Sequence, residues 1–352
     1  MKPAATSSAY RPETDTRPIL IVPYMWIGDF VRCHTVVKLL KARFPRRPVD
    51  MLTMALTLPL IDYMPGVRKG IVSDLPRGRL ALARQWDLAK RLRAEGYGSV
   101  LVMPRTWKSA LAPFLAGIRE RTGFIGEGRL ILLNDLRFGE RKLDRMIDRK
   151  VALAAPNGFF LPTTYPLPSL IVPPAEVSAW RARRELAESR PVVALCPATV
   201  GPGRRWPLDR YAELARRLAA DGVSVWVLGG PADHPLAAEI AKAGGVRDLT
   251  GADLREAILA LKAADAAVAN DSGLLHVAAA LETPAVGIFG PSRPFLTGPL
   301  NPIAAIEPSV TVCSTCGRGD CTRLDHRRTE DIPVEPVLAA VRSALKRAGA
   351  AG

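Results

Sequence analysis

The residues best suited to chemistry in this 352-residue chain fall in three short segments. In the first, Gly28-Asp29 follows the apolar run 19–24 and opens an amphipathic stretch. A carboxylate there is either an N-terminal helix residue favoured by the macrodipole or a general base at the mouth of a cleft. The second segment is Pro197-Ala198-Thr199-Val200-Gly201-Pro202-Gly203-Arg204-Arg205-Trp206-Pro207, a glycine-bearing loop with adjacent arginines between an apolar run and a helical pattern. Loop amides and guanidinium forks both donate N–H groups, and arginine adds charge, which suits a diphosphate; an ordinary connecting loop with solvent-facing arginines is the alternative. The third segment is Asn270-Asp271-Ser272-Gly273-Leu274-Leu275-His276. Ser272 and Gly273 there would turn backbone N–H groups and a helix dipole toward an anion. Asp271 either caps that helix or holds a ligand hydroxyl, and His276 lies within the helix as a ligand contact or a structural histidine.

Positioning such segments requires elements that end where they begin, and the apolar pattern supplies them. Strands are expected at 19–24, 49–53, 70–75 and 99–104, with helices at 29–44, 80–93 and 107–116. Six prolines between 155 and 174 then break the rhythm and mark a linker. Afterwards the alternation restarts, with strands at 191–197, 223–230, 266–270 and 285–290. Helices are expected at 208–220, 232–243, 253–264, 273–281 and 334–348. Alternation of this kind argues for parallel sheets covered on both faces, hence two successive doubly wound α/β domains with a cleft between them. Ligands in such sheets bind beyond the carboxyl ends of the strands, where all three segments lie. The expected division is a disordered tail at 1–17, an acceptor domain at 18–155, a linker at 156–174 and a donor domain at 175–352. The last helix is a candidate to pack back on the first domain.

Composition narrows the function classes. Apolar residues make up 48% of the chain, enough for packed cores. No apolar run reaches the length of a membrane span, and the polar N-terminus lacks the apolar region of a secretory signal, so a cytoplasmic protein is expected. The net charge of +15 is unevenly placed. Residues 1–150 hold 28 Lys+Arg against 14 Asp+Glu, whereas residues 151–352 hold 21 against 20. A basic N-terminal half implies an anionic partner: nucleic acid, an acidic membrane or a phosphorylated small molecule. The first strand is not followed by G-x-G-x-x-G, and the sequence contains no Walker A, D-x-D or G-x-S-x-G motif. Dinucleotide-linked dehydrogenases, P-loop NTPases, carboxylate–metal glycosyltransferases and α/β-hydrolases are therefore disfavoured.

Arg204-Arg205-Trp206-Pro207, the run from Asn270 to Ala280 and Phe289-Gly290-Pro291-Ser292, with Gly28-Asp29 upstream, resemble the ADP-heptose:lipopolysaccharide heptosyltransferases of glycosyltransferase family 9. Lys108-Ser109-Ala110-Leu111, Gly117-Ile118, Arg121-Thr122-Gly123 and Leu133-Asn134-Asp135 are similar to the heptosyltransferase II branch. The resemblance implies a GT-B fold of two facing Rossmann-like domains and an inverting transfer of heptose from ADP-L-glycero-D-manno-heptose to a heptosyl-Kdo-lipid A inner core. It implies Asp29 as the base and Arg204, where the family usually has Lys, as the cation that neutralises the departing diphosphate. Donor-binding roles pass to Thr199, Arg204, Arg205, Asp271, Ser272, Gly273 and His276, and to Asp233 as the ribose-binding acid. Lys108, Arg121 and Arg129 become candidates for acceptor phosphate or carboxylate groups. The resemblance also implies that no cofactor or tightly bound metal is needed, and that the enzyme works at the anionic inner face of the inner membrane. Another nucleotide-sugar donor or glycan acceptor within the family is the alternative. A basic nucleic-acid-binding protein is a distant third, since aromatics are only 6% of the chain and do not cluster among the basic residues. Cys313, Cys316, Cys321 and His326 have zinc-ligand spacing, but Arg328 stands where relatives carry a further cysteine, and reduced thiols are the expected state. Cys33 and Cys196 are expected to be buried apolar residues.

Overall fold

The structure, a computed structural model, describes residues 15–350 apart from 77–79, 157, 159, 160, 187–189, 202, 252 and 309–327. The zinc-spaced set from Cys313 to His326 lies outside the described residues. The first unit runs β1 (Ile19–Val22), α1 (Ile27–Arg43), β2 (Val49–Thr53), β3 (Val67–Val72), α2 (Leu82–Ala94), β4 (Ser99–Val102), α3 (Trp107–Leu115), β5 (Glu120–Phe124), β6 (Asp135–Arg137) and α4 (Met146–Ala154). The helix α5 (Pro174–Arg183) leads into the second unit: β7 (Val192–Cys196), α6 (Leu208–Ala220), β8 (Ser224–Val227), α7 (His234–Ala241), β9 (Val246–Asp248), α8 (Leu254–Ala263), β10 (Ala266–Asn270), α9 (Gly273–Ala280), β11 (Ala285–Ile288), α10 (Pro294–Thr297), β12 (Ala304–Ile306) and α11 (Val334–Ala350).

Each unit is built on one six-stranded sheet, ordered β3-β2-β1-β4-β5-β6 and β12-β11-β10-β7-β8-β9, and every pairing is parallel. Counted from the first strand of its own unit, each sheet has the doubly wound Rossmann order. The central strands are covered on both faces, so β1 (Ile-Leu-Ile-Val) and β7 (Val-Val-Ala-Leu-Cys) are apolar and buried throughout. Cys33 and Cys196 are buried as expected, and burial pushes both thiols up to about 12.

Two expectations need correction. The last helix packs on its own unit: Val337, Leu338 and Val341 of α11 share a core with Tyr211, Leu214 and Leu218 of α6, and Arg342 pairs with Asp221 at 2.8 Å. Of the tail expected to be disordered at 1–17, residues 1–14 lie outside the described residues and only the last three differ: Asp15 accepts from Arg17 at 2.9 Å and lies 3.7 Å from Arg47. The proline-rich linker is bound to both units. Thr35 donates to the Pro166 carbonyl, Leu170 N–H to Ala280 O, Ile171 N–H to Tyr63 O and Asn301 to Pro168 O. Ser169 N–H donates to His34 Nδ1, while His34 Nε2 lies 2.8 Å from Pro65 O. That pairing fits the neutral imidazole with its proton on Nε2, and burial lowers the pKa of His34 to about 4.

The units meet where α1 runs along α9. A Cβ on Gly28 would lie 2.5 Å from the His276 ring, and one on Gly273 would lie 2.6 Å from Ile27 Cβ. Only glycine permits so close an approach, which brings the first turn of α1 beside the first turn of α9.

Candidate active site

The second unit contributes a loop held at both ends by one side chain. Asn270, at the end of β10, donates through Nδ2 to Pro197 O (2.7 Å) and accepts at Oδ1 from Trp206 N–H (3.0 Å). Trp206 is fully buried, donates to Ile332 O at 2.8 Å and packs edge-on against Tyr211. The loop from 197 to 206 is thereby fixed over the carboxyl end of β7. Gly201 and Gly203 within it have φ of 110° and 66°, a left-handed backbone that glycine accepts readily.

Arg204 leans over this edge with Nη1 3.8 Å from Asp271 Oδ2 and keeps 38% of its side chain exposed. Thr199 donates to Asp271 O at 3.2 Å. The Asp271 carboxylate is buried and accepts from Ser292 (2.5 Å) and Thr297 (3.2 Å), so it braces the rim of the cleft. Ser272 Oγ and His276 Nδ1, in the first turns of α9, are buried without a hydrogen-bond partner. Orphaned buried polar atoms are costly, and a pair of them at a helix N-terminus marks a place where a polar ligand belongs. Burial, helped by the positive charge of Arg32, holds the His276 pKa well below the usual imidazole value, so the ring is neutral. Asp233 closes its own turn at the end of β8 by accepting from Gly230 N–H (2.8 Å), and Arg205 is exposed. The donor set from sequence thus gathers along one edge of the second sheet.

The first unit contributes Asp29, in the first turn of α1. Its Oδ1 accepts from Lys150 Nζ of α4 (2.8 Å) and from Arg32 Nη2 one turn along α1 (3.0 Å). No described residue donates to Oδ2. Lys150 is 1% exposed and also lies 4.9 Å from the centre of the Tyr24 ring. Burial alone pushes the Asp29 carboxyl up, but Lys150 and Arg32 more than offset it and hold the group below the ordinary range. The result is an ionised carboxylate with one oxygen fixed and the other available to take a proton.

The acceptor candidates divide. Lys108 lies in the first turn of α3, on the same carboxyl edge of the first sheet as Asp29. Arg121 does not belong to the site. It is the second residue of β5, toward the amino end of the sheet, donates to Leu132 O and Ile118 O, and stacks over Phe114. Arg129 is likewise structural: it is 1% exposed and donates to Phe124 O and Pro104 O, tying together the loops after β4 and β5. Sequence reasoning missed Lys150 and Arg32. The i, i+3 spacing of Asp29 and Arg32 was a local signal for one of them. For Lys150, 121 positions away on a helix that the apolar pattern did not reveal, there was none. No group of three or more His, Cys, Asp or Glu side chains that could hold a metal ion occurs among the described residues.

Known proteins resemble the chain along nearly its whole length. Residues 85–324 match the model of glycosyltransferase family 9 (heptosyltransferase). The chain is 36% identical to lipopolysaccharide heptosyltransferase 2 of Salmonella typhimurium over 94% of its own length and 99% of that protein's. Identity to the Escherichia coli protein of the same name is also 36%, covering 93% and 98%. Among solved structures, E. coli ADP-heptose lipopolysaccharide heptosyltransferase II superposes with a TM-score of 0.82 at 33% identity, covering 94% of this chain and 99% of that one. An E. coli heptosyltransferase solved with ADP shares the fold, with a TM-score of 0.69 at 18% identity.

Proposed function

The chain belongs to glycosyltransferase family 9, and from that premise we propose that it transfers heptose from an ADP-heptose donor to a heptosylated, Kdo-bearing lipid A core. The observation that supports the reading most is the close approach of α1 and α9, which brings the turn bearing Asp29 beside the turn of Ser272 and Gly273, with Arg204 3.8 Å from the adjoining Asp271. In the proposed reaction the acceptor hydroxyl attacks the anomeric carbon and gives its proton to Asp29 Oδ2. The bond from that carbon to the diphosphate breaks on the opposite face, so the configuration inverts. Charge developing on the leaving ADP is met by Arg204 and by the amides and dipole at the start of α9, groups placed before the reaction begins. His276, neutral and close to Asp29, adds no competing charge. Thr199, Arg205 and Asp233 complete the donor edge, and Lys108 lies on the acceptor edge.

Among the described residues no helix is long and apolar enough to cross a membrane. The acceptor is a lipid, so the enzyme would meet it at the cytoplasmic face of an anionic bilayer, with the basic first 150 residues drawing it there. The test offers purified protein ADP-heptose, UDP-glucose and GDP-mannose in turn with monoheptosylated acceptor, and follows product mass and nucleotide release. Transfer from ADP-heptose alone is expected. Transfer from another donor but not from ADP-heptose would move the chain to a different substrate within the family.

A further inference from the structure

A cavity of about 170 Å³ opens between the units beside Arg32, the residue that holds Asp29. Arg32, Arg145, Ile147, Phe295, Gly298 and Leu300 are among the residues that enclose it. Arg145, just before α4, has its guanidinium carbon 5.0 Å from the Phe295 ring centre and 5.7 Å from that of Tyr165. Among the described residues it has no carboxylate or carbonyl partner, and its Nε is buried without an acceptor. Arg32 is 7% exposed; its Nη1 donates to Thr297 O (2.6 Å) and its Nη2 to Asp29, but its Nε is orphaned too.

The surrounding charge does not balance. Arg32 and Arg145 line the cavity and no carboxylate among the described residues does; Asp29 is taken up by Arg32 and Lys150, and Asp148 accepts from the Tyr165 hydroxyl at 2.7 Å. Two arginines with unpaired buried N–H groups around one small cavity amount to a site short of an anion. The cavity has room for a phosphate or carboxylate and is too small for a whole nucleotide. The two flanking rings hold the Arg145 plane in place, which favours two-point contact with planar or tetrahedral oxyanions.

We propose that this cavity is an anion subsite for the acceptor, taking a phosphate or sugar-acid carboxylate carried close to the hydroxyl that Asp29 deprotonates. Arg32 sets that distance, because the same guanidinium touches the base and lines the cavity. The proposal rests on the acceptor reading above, and it supplies the anion contact that Arg121 and Arg129 cannot make.

Arg145→Gln tests it. The variant should keep its ADP affinity and raise the KM for acceptor roughly ten- to a hundredfold, the size of one lost charge-assisted hydrogen bond. Arg145→Lys should recover part of the loss. Removing the acceptor's phosphates in one arm, and reducing its carboxylates in another, should abolish the difference between wild type and variant in whichever arm removes the bound group. An independent reading needs no transfer: with ADP saturating, inorganic phosphate should raise the Tm of the wild type and not that of Arg145→Gln. A Tm response that survives in the variant, or a KM rise that persists with both stripped acceptors, would overturn the subsite. If phosphate stabilisation depends on Arg145 but no heptosylated acceptor is used, the subsite stands and the functional reading falls.

Discussion

Asp29→Asn is expected to lower kcat by roughly two to four orders of magnitude, the usual contribution of a positioned general base, while leaving ADP affinity intact. The geometry sets this expectation, since Oδ1 is engaged by Lys150 and Arg32 and only Oδ2 can accept the proton. The substitution also leaves Lys150, at 1% exposure, without its carboxylate; stranding one partner of a buried pair costs about 3–5 kcal/mol. A loss of activity through unfolding must therefore be separated from a loss of the base. Asp29→Asn combined with Lys150→Met removes both charges, and it should melt closer to the wild type while remaining as inactive. Lys150→Met alone gives the complementary sign. In the folded enzyme Lys150 lowers the Asp29 pKa against the upward push of burial, so its removal raises that pKa. The acidic limb of kcat/KM should shift to higher pH in Lys150→Met and stay in place in Lys150→Arg. A limb that does not move in either variant would remove Asp29 as the titrating base.

Arg204→Ala should cost about two to three orders of magnitude in kcat, comparable to the loss of an oxyanion-stabilising donor. Here stability and catalysis separate cleanly. Arg204 is 38% exposed and lies 3.8 Å from Asp271, and an ion pair of that exposure contributes at most about 1 kcal/mol. The protein should fold normally, and the deficit should fall on the step that expels the diphosphate. Arg204→Lys keeps the charge and loses the fork, so an intermediate rate is expected. An unchanged rate in Arg204→Ala would shift the leaving-group role to Arg205 and the α9 amides.

The parts of this account visible in the sequence are those set by local chemistry. Strands β1 and β7 are uninterrupted apolar runs and β10 is one up to Asn270, because both their faces are covered, and Asp29, Arg204 and Asp271 lie in the segments that follow them. The last two strands of the first sheet, the edge strand β6 and its neighbour β5, gave no such signal. β5 reads Glu-Arg-Thr-Gly-Phe and β6 reads Asp-Leu-Arg, joined partly by a side-chain bond from Thr122 to Asp135 at 2.9 Å. Arg121 and Arg129 show why a basic residue near a motif is an incomplete signal. Both donate to backbone carbonyls that only the folded loops bring within reach. Lys150 is the converse case, a buried cation whose partner is set by the packing of α4 against α1. The interdomain approach at Gly28 and Gly273 was equally hidden, because a glycine in sequence does not say what stands against it.

The central claim is a single displacement in which Asp29 Oδ2 takes the proton as ADP leaves from the opposite face. Its most direct test is the anomeric configuration of the transferred heptose, read by NMR on product made from donor of known configuration. The account predicts a linkage opposite in configuration to the donor. A product that retains the donor's configuration would require a second displacement at the anomeric carbon, and would contradict it.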